Sequence, residues 1–245
     1  MSEATDQLMV WPSIAQRLVV ESLDSGVHRV LAVCGPYRLI HVLNAATVEE
    51  PVGVTFLAHS AAEDFPVWQS PGQDRSDLAP ETVHREALAL GPLYREADGA
   101  WLPLAGLPAT WFDATLEVLR ENGESLSWAT ESKVYGGPIL LESLTLTPQA
   151  LDYSCGLRWT IPGFALQLPL WLTDGQRSAR PQLQGPELRV HTPVWTLVAE
   201  CLEPEDASWS LDTSSVSRGT VQYARALLQS RAAVCYRVRL RVTCP

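Results

Sequence analysis

Lysine is almost missing from this chain: Lys133 stands alone beside seventeen arginines. Its basic charge therefore comes as planar guanidinium forks, which stay protonated at any relevant pH and match carboxylates or phosphates bidentately. Long apolar runs are missing as well. No stretch approaches eighteen uninterrupted apolar residues, so a helical membrane span is not expected. The first thirteen residues lack the basic start and apolar run of a secretory signal, and the expectation is a soluble, cytoplasmic protein with no membrane partner. Cysteine is sparse and scattered. Cys34, Cys155, Cys201, Cys235 and Cys244 are odd in number and widely spaced, which suits neither a disulfide framework nor a zinc ribbon. On one regular strand Cys235 and Cys244 would lie on opposite faces roughly 30 Å apart. Reduced, mostly buried thiols are the expectation.

Signatures of catalysis are equally scarce. The single lysine precedes Val134-Tyr135-Gly136-Gly137-Pro138, the wrong order for a phosphate-cradling loop, and no Gly-x-Gly-x-x-Gly occurs. No Gly-x-Ser-x-Gly elbow is present either. The five histidines form no His-x-His pair, and no Cys-x-x-Cys supplies metal ligands. His28 and His41 fall on β-rich runs, where a satisfied structural histidine is the plainer reading, and His191 sits at the end of another. Glu203, Glu205 and Asp206 gather around Pro204 without the glycine and spaced oxygens of a calcium loop, so they read as a solvated turn. A glycosidase needs two carboxyls about 5–10 Å apart. Asp174, near Trp171 at a strand end, is the acid to test first on that reading. The nine tryptophans could stack on sugars, but filling a β core or its interfaces is their commoner use. No catalytic residue, cofactor or metal ligand is assigned.

What is present is β pattern. Hydrophobic residues make up 46 % and charged residues 19 % of 245 positions, enough apolar material for a true core in one large β domain or two ordinary ones. Residues 27–34 and 37–43 are β-rich runs split by Gly35-Pro36, a hairpin signal, and another strand follows near 52–58. Residues 12–23 have helical spacing at Ile14, Leu18 and Val19, and a second short helix is expected over 80–90 from Val83, Ala87 and Leu90. Repeated Pro and Gly between 61 and 108 point to long loops. Over 110–130 a hairpin around Asn122-Gly123 is preferred to a helix ended by that pair. Residues 139–146, then Leu151, Tyr153, Cys155 and Leu157, then Leu166, Leu168, Leu170 and Leu172, alternate apolar with other residues. Residues 188–191, 194–202 and 209–211 are shorter candidates, and 219–231 reads as either helix or strand. The fold class expected is mainly β: an antiparallel sandwich or barrel over 138–245, after a smaller, loop-rich α+β part over 1–135.

Charge divides in the same place. Residues 1–150 hold twenty acids against eight bases, residues 151–245 eight against ten, within a net charge of −10. The last thirty-three residues carry six arginines and no acid. In Cys235-Tyr236-Arg237-Val238-Arg239-Leu240-Arg241-Val242-Thr243-Cys244 the arginines share one face of a strand. Their spacing of roughly 6–7 Å resembles that of successive phosphates, which makes Arg237, Arg239 and Arg241 the candidate binding residues for an anion or nucleic acid. No aromatic shares their face, and the overall charge opposes attraction of polyanions. Pairing with acids such as Glu49, Glu50, Glu63 or Asp64, or with a neighbouring subunit, is the favoured reading. The leading expectation is a non-enzymatic structural or assembly component, homo- or hetero-oligomeric, that binds other protein chains. An anionic-ligand or nucleic-acid binder comes second and a hydrolase, possibly of glycosides, third.

Overall fold

The structure, a computed structural model, describes residues 16–22, 28–44, 51–60, 66–69, 88–95, 99–103, 112–134, 138–158, 163–218, 220–231 and 233–244. Those residues form antiparallel strands throughout and no α-helix. The first sheet follows chain order: β1 (Gln16–Ser22), β2 (His28–Cys34), β3 (Tyr37–Asn44), β4 (Gly53–His59) and β5 (Trp68–Gln69). Next come β6 (Gly91–Arg95), β7 (Trp101–Pro103), β8 (Phe112–Glu121), β9 (Leu126–Val134), β10 (Ile139–Leu146) and β11 (Leu151–Leu157). They are followed by β12 (Phe164–Thr173), β13 (Arg180–Gln184), β14 (Glu187–His191) and β15 (Thr196–Glu203). The chain closes with β16 (Ser208–Arg218), β17 (Val221–Gln229) and β18 (Cys235–Thr243). The second sheet has the order β16-β17-β12-β6-β7, and the large third sheet runs β13-β14-β15-β18-β11-β10-β9-β8.

These sheets make a two-layered sandwich. The first and second are joined edge to edge by a bridge in which Val54 N–H donates to Leu90 O (3.0 Å) and Leu90 N–H donates to Val54 O (2.9 Å). Together they cover the large sheet, and one core contains side chains of all three, among them Leu39, Leu57, Leu166, Leu228, Trp128 and Leu240. Three polar anchors tie the layers. Tyr37 Oη donates to Gln149 O (3.3 Å) and accepts from Val242 N–H (2.8 Å). Tyr236 Oη donates to Phe164 O (2.9 Å) and accepts from Ser230 N–H (3.0 Å). Trp209 Nε1–H donates to Pro186 O (3.0 Å). Each satisfies a buried group that would otherwise be left without the hydrogen bond it had in water.

The mainly β reading holds, but the α+β reading of the N-terminal part does not. The described residues of 12–23 are the strand β1, paired along its whole length with β2. Leu18 is buried while Val20, on the same face of the strand, is exposed, so no clean two-residue period competed with the helical spacing of Ile14, Leu18 and Val19. Of the helix expected over 80–90, residues 80–87 lie outside the described ones, and Leu90 is extended in the inter-sheet bridge. The 110–130 hairpin is present as β8 and β9, with Asn122 Oδ1 accepting from the N–H groups of Glu124 and Ser125 (3.0 Å each). The described residues of 219–231 centre on the strand β17 (Val221–Gln229). It is buried on both faces between β12 and β16, which is why neither period stood out. Pairing of β9 with β10 runs across 135–138, where the composition changes.

Gly53 stands beside the bridge at φ +117°, and a Cβ there would meet Leu90 O at 2.7 Å. Gly185 has φ +59° with open space around it. Gly53→Ala should therefore cost about 2 kcal/mol or more, strain plus clash, and Gly185→Ala about 1 kcal/mol from backbone strain alone. Urea unfolding of the two variants measures both, and equal losses would contradict this account of the inter-sheet junction.

Candidate functional site

β18 lies between β11 and β15 and keeps a strict alternation. Tyr236, Val238, Leu240 and Val242 enter the core, and Arg237, Arg239 and Arg241 stand on the opposite, outer face of the large sheet. The register sets each arginine near an acid. Arg239 faces Asp152 on β11 and meets it bidentately, Nε to Oδ1 at 2.7 Å and Nη2 to Oδ2 at 2.9 Å. That hydrogen bond and the carboxylate charge raise the Arg239 guanidinium above its usual value. Arg241 Nη2 lies 3.4 Å from Glu200 Oε2, and Arg237 Nη1 lies 3.8 Å from Glu203 Oε1. All three pairs are well hydrated, so each contributes about 0–1 kcal/mol. Glu49, Glu50, Glu63 and Asp64 lie outside the described residues; the acids facing the ladder belong to its own sheet.

Beside the ladder the outer face is hollowed. A depression of about 670 Å³ crosses β8 to β11 and reaches the start of β18, lined by Thr115, Glu117, Glu131, Leu141, Ser143, Ser154 and Cys235 among others. A second, of about 380 Å³, is lined by Ser143, Thr145, Asp152, Ser154, Glu203 and Arg237. The two meet at Ser143 and Ser154, which are register partners on β10 and β11. Ala129 and Leu141 give the larger depression an aliphatic floor. Glu131 is engaged by Arg158 (Oε2 to Nη2, 3.0 Å).

The same strands carry a polar cluster on their core face. Glu142 is buried, in phase with Leu140, Leu144 and Leu146. Tyr153 Oη donates to its Oε1 (2.6 Å) and Thr130 Oγ1 donates to Oε2 (3.4 Å). His41 Nε2 approaches Oε2 at 3.5 Å. Trp128 Nε1–H donates to His41 Nδ1 (3.1 Å). Because an indole nitrogen can only donate, Nδ1 must offer its lone pair, and the imidazole proton belongs on Nε2, facing Glu142. At 3.5 Å that contact is electrostatic attraction more than a directed hydrogen bond. Burial pushes the Glu142 carboxyl up, but His41 and the two hydroxyls outweigh it and hold the group below its ordinary value. Burial, with the neighbouring Cys155 and Glu142, pushes the Tyr153 hydroxyl far up, so it keeps the proton it donates.

Other singled-out residues have structural settings. Asp174 staples the turn after β12: its Oδ1 accepts from the N–H groups of Arg177 (2.6 Å) and Gln176 (2.9 Å). Those bonds, and the Arg177 guanidinium, hold it at about 2, too low for a general acid near neutrality. Trp171 is buried in the core. Asp206 accepts from Ser230 Oγ (2.7 Å), and His191 Nδ1 lies 3.1 Å from Thr196 Oγ1. Among the described residues no three His, Cys, Asp or Glu side chains converge to hold a metal. Glu142 escaped attention in the sequence, although a carboxylate in phase with three leucines is a visible signal.

No family model matches this chain, and no curated protein matches it. Several solved structures share its fold. Heparan sulfate lyase HepC from Pedobacter heparinus superposes with a TM-score of 0.64 at 8 % identity, over 96 % of this chain and 37 % of the lyase. A heparinase III gives 0.61 at 10 % identity, over 95 % and 37 % of the two chains. YeaD from Salmonella typhimurium, provisionally described as a mutarotase, gives 0.61 at 9 % identity, over 96 % of this chain and 97 % of its own. The chain thus spans little more than a third of the lyases and nearly the whole of YeaD. At such identity the likeness is one of fold.

Removing the buried charge by Glu142→Gln should destabilise the protein by about 1–3 kcal/mol at pH 7. The folded carboxyl sits below its ordinary value of 4.5. Its contribution is therefore complete above that value and is lost as pH falls through the folded one. The gap between wild type and variant, measured by urea unfolding, should narrow from pH 7 to pH 3. A gap that stays constant would mean that the carboxylate is not the stabilising form.

Proposed function

We propose that this chain is a non-enzymatic recognition protein that binds a saccharide along the trough on the outer face of the large sheet. The observation that carries the reading is the chemistry of that trough. Hydroxyls of Ser143 and Ser154 meet at its centre, with Thr115 and Thr145 along it and carboxylates beside them, over an aliphatic floor. Each sugar hydroxyl both donates and accepts, so it is matched by Ser and Thr hydroxyls together with acceptor-only carboxylates. The C–H faces of the ring suit Ala129 and Leu141. Each hollow taken singly has a size within the usual range of ligand sites, which fits the same reading. Acids outnumber arginines among the lining residues, which favours a neutral sugar over an acidic one. Asp152 and Glu131 are already engaged by Arg239 and Arg158, which suits fixed acceptors better than proton carriers. The fold likeness to saccharide lyases and to YeaD is an analogy that agrees with this reading without carrying it.

A second reading is an assembly role, homo- or hetero-oligomeric, on the same face. It is favoured by Leu141 and Val234, exposed at 39 % and 44 % beside the trough, with the arginine ladder as a charged border. A phosphate backbone is less well served, since it would have to displace Asp152 from the bidentate contact with Arg239.

Titration calorimetry with neutral oligosaccharides tests the proposal, using Ser154→Trp to fill the centre of the trough. The variant should bind about tenfold more weakly or worse while unfolding at an unchanged temperature. No binding to any neutral or acidic oligosaccharide, together with a solution mass above that of the monomer, would replace the saccharide reading with the assembly one.

A further inference from the structure

We propose that Cys244 is a site of thiol–disulfide exchange with low-molecular-weight disulfides, with His59 as the acceptor of its proton. Cys244 follows β18 and His59 ends β4, so the pair forms where the two layers meet. The Cys244 Sγ lies 3.9 Å from His59 Nδ1, within hydrogen-bonding reach for sulfur. The imidazole is held in place: it meets Tyr37 edge to face, with centroids 4.9 Å apart at 81°. Tyr37 is itself fixed by the backbone of Val242, two residues before Cys244. The strand that presents the thiol thus also anchors the residue that orients its base.

The remaining thiols serve as internal controls. Cys34 and Cys155 are buried. Cys201 is half-buried, and burial pushes its thiol up to about 11. Cys235 is exposed like Cys244, but its contacts are Ser154 Oγ at 3.7 Å and Tyr236 O at 3.8 Å, neither of which is a base near neutrality. An imidazole is. Partial burial holds His59 below its ordinary 6.5, so at neutral pH it has a lone pair to accept a proton.

The step balances. The Sγ–H proton passes to His59, and the thiolate attacks one sulfur of RS–SR. The S–S bond breaks, and the departing RS⁻ takes the proton back from the imidazolium. The products are Cys244–S–SR and RSH. The disulfide is the oxidant, and nothing else is consumed.

The test uses the full chain at pH 7 with an aromatic disulfide reagent such as 5,5′-dithiobis(2-nitrobenzoate), then oxidised glutathione, locating the modified cysteine by peptide mass spectrometry. Cys235→Ser and Cys244→Ser assign the kinetic phases. Cys244 should react ahead of Cys235 by about threefold or more, because its thiol alone of the two has an imidazole within reach to take the proton. His59→Gln should bring Cys244 down to the Cys235 rate and leave Cys235 itself unchanged, the latter serving as the check on folding. Equal rates for the two thiols in the wild type, or an unaltered Cys244 in His59→Gln, would overturn the proposal.

Discussion

The large sheet depends on one strand. β8 to β11 form a meander drawn from the middle of the chain and β13 to β15 form another, and only β18 joins them, pairing with β11 on one side and β15 on the other. Without it the eight-stranded layer would be two separate pieces, and the trough would lose one wall. The alternation of β18 makes this junction secure on both faces. Tyr236, Val238, Leu240 and Val242 complete the core beneath the seam. Above it, Arg239 reaches Asp152 on β11, while Arg241 and Arg237 reach Glu200 and Glu203 on β15. Each half of the sheet is thus clipped to β18 by charge as well as by its backbone ladder. As hydrated pairs these contacts add little stability individually. Their larger effect is on register, because a slip of one residue would turn three guanidinium groups into the core.

The strands that line the trough are two-faced in the same way. Ser143 and Thr145 look outward from β10, and Glu142 and Leu144 look inward. β11 repeats the pattern with Asp152 and Ser154 outside and Tyr153 and Cys155 inside. The Trp128–His41–Glu142–Tyr153 chain crosses from the first sheet to the large one directly beneath the hollow. A buried polar network of this kind fixes the relative position of the elements it joins. Here those elements are the ones that hold the hydroxyls and carboxylates of the outer face. The preorganisation of the trough therefore comes from the opposite side of its own sheet.

Much of the strand pattern was legible because one-sided burial writes itself as alternation. β10, β11 and β18 are the clear cases, and the Asn122-Gly123 and Gly35-Pro36 pairs marked their hairpins. Legibility failed where that premise failed. β17 is buried on both faces and so carries no period. β1 is a short edge strand in which a chance i, i+4 pair outweighed two adjacent valines. The arginine ladder was readable as a charge-paired surface, but its partners were not, since Asp152 and Arg239 are eighty-seven residues apart and meet only through sheet order. Ser143 and Ser154 had no signal at all: on outward strand positions a serine at the centre of a hollow looks like one on an open face. Glu142 differed, because a carboxylate in phase with leucines has to be explained by partners.

The engagement of the carboxylates is what favours the proposed recognition role over catalysis on the outer face. A group that transfers protons needs lone pairs open to its substrate and an affinity for protons close to the working pH. Asp152 spends both oxygens on one guanidinium, and Glu131 has an arginine of its own. Asp174 is drawn down by backbone N–H groups within its turn. Glu142, which has a histidine partner, faces the core and is closed off by Tyr153 and Thr130. Acids paired like this are fixed in geometry, a property that suits an array of hydrogen-bond acceptors. On the proposed saccharide reading, these engaged acids would serve the trough as fixed hydrogen-bond acceptors rather than as proton carriers.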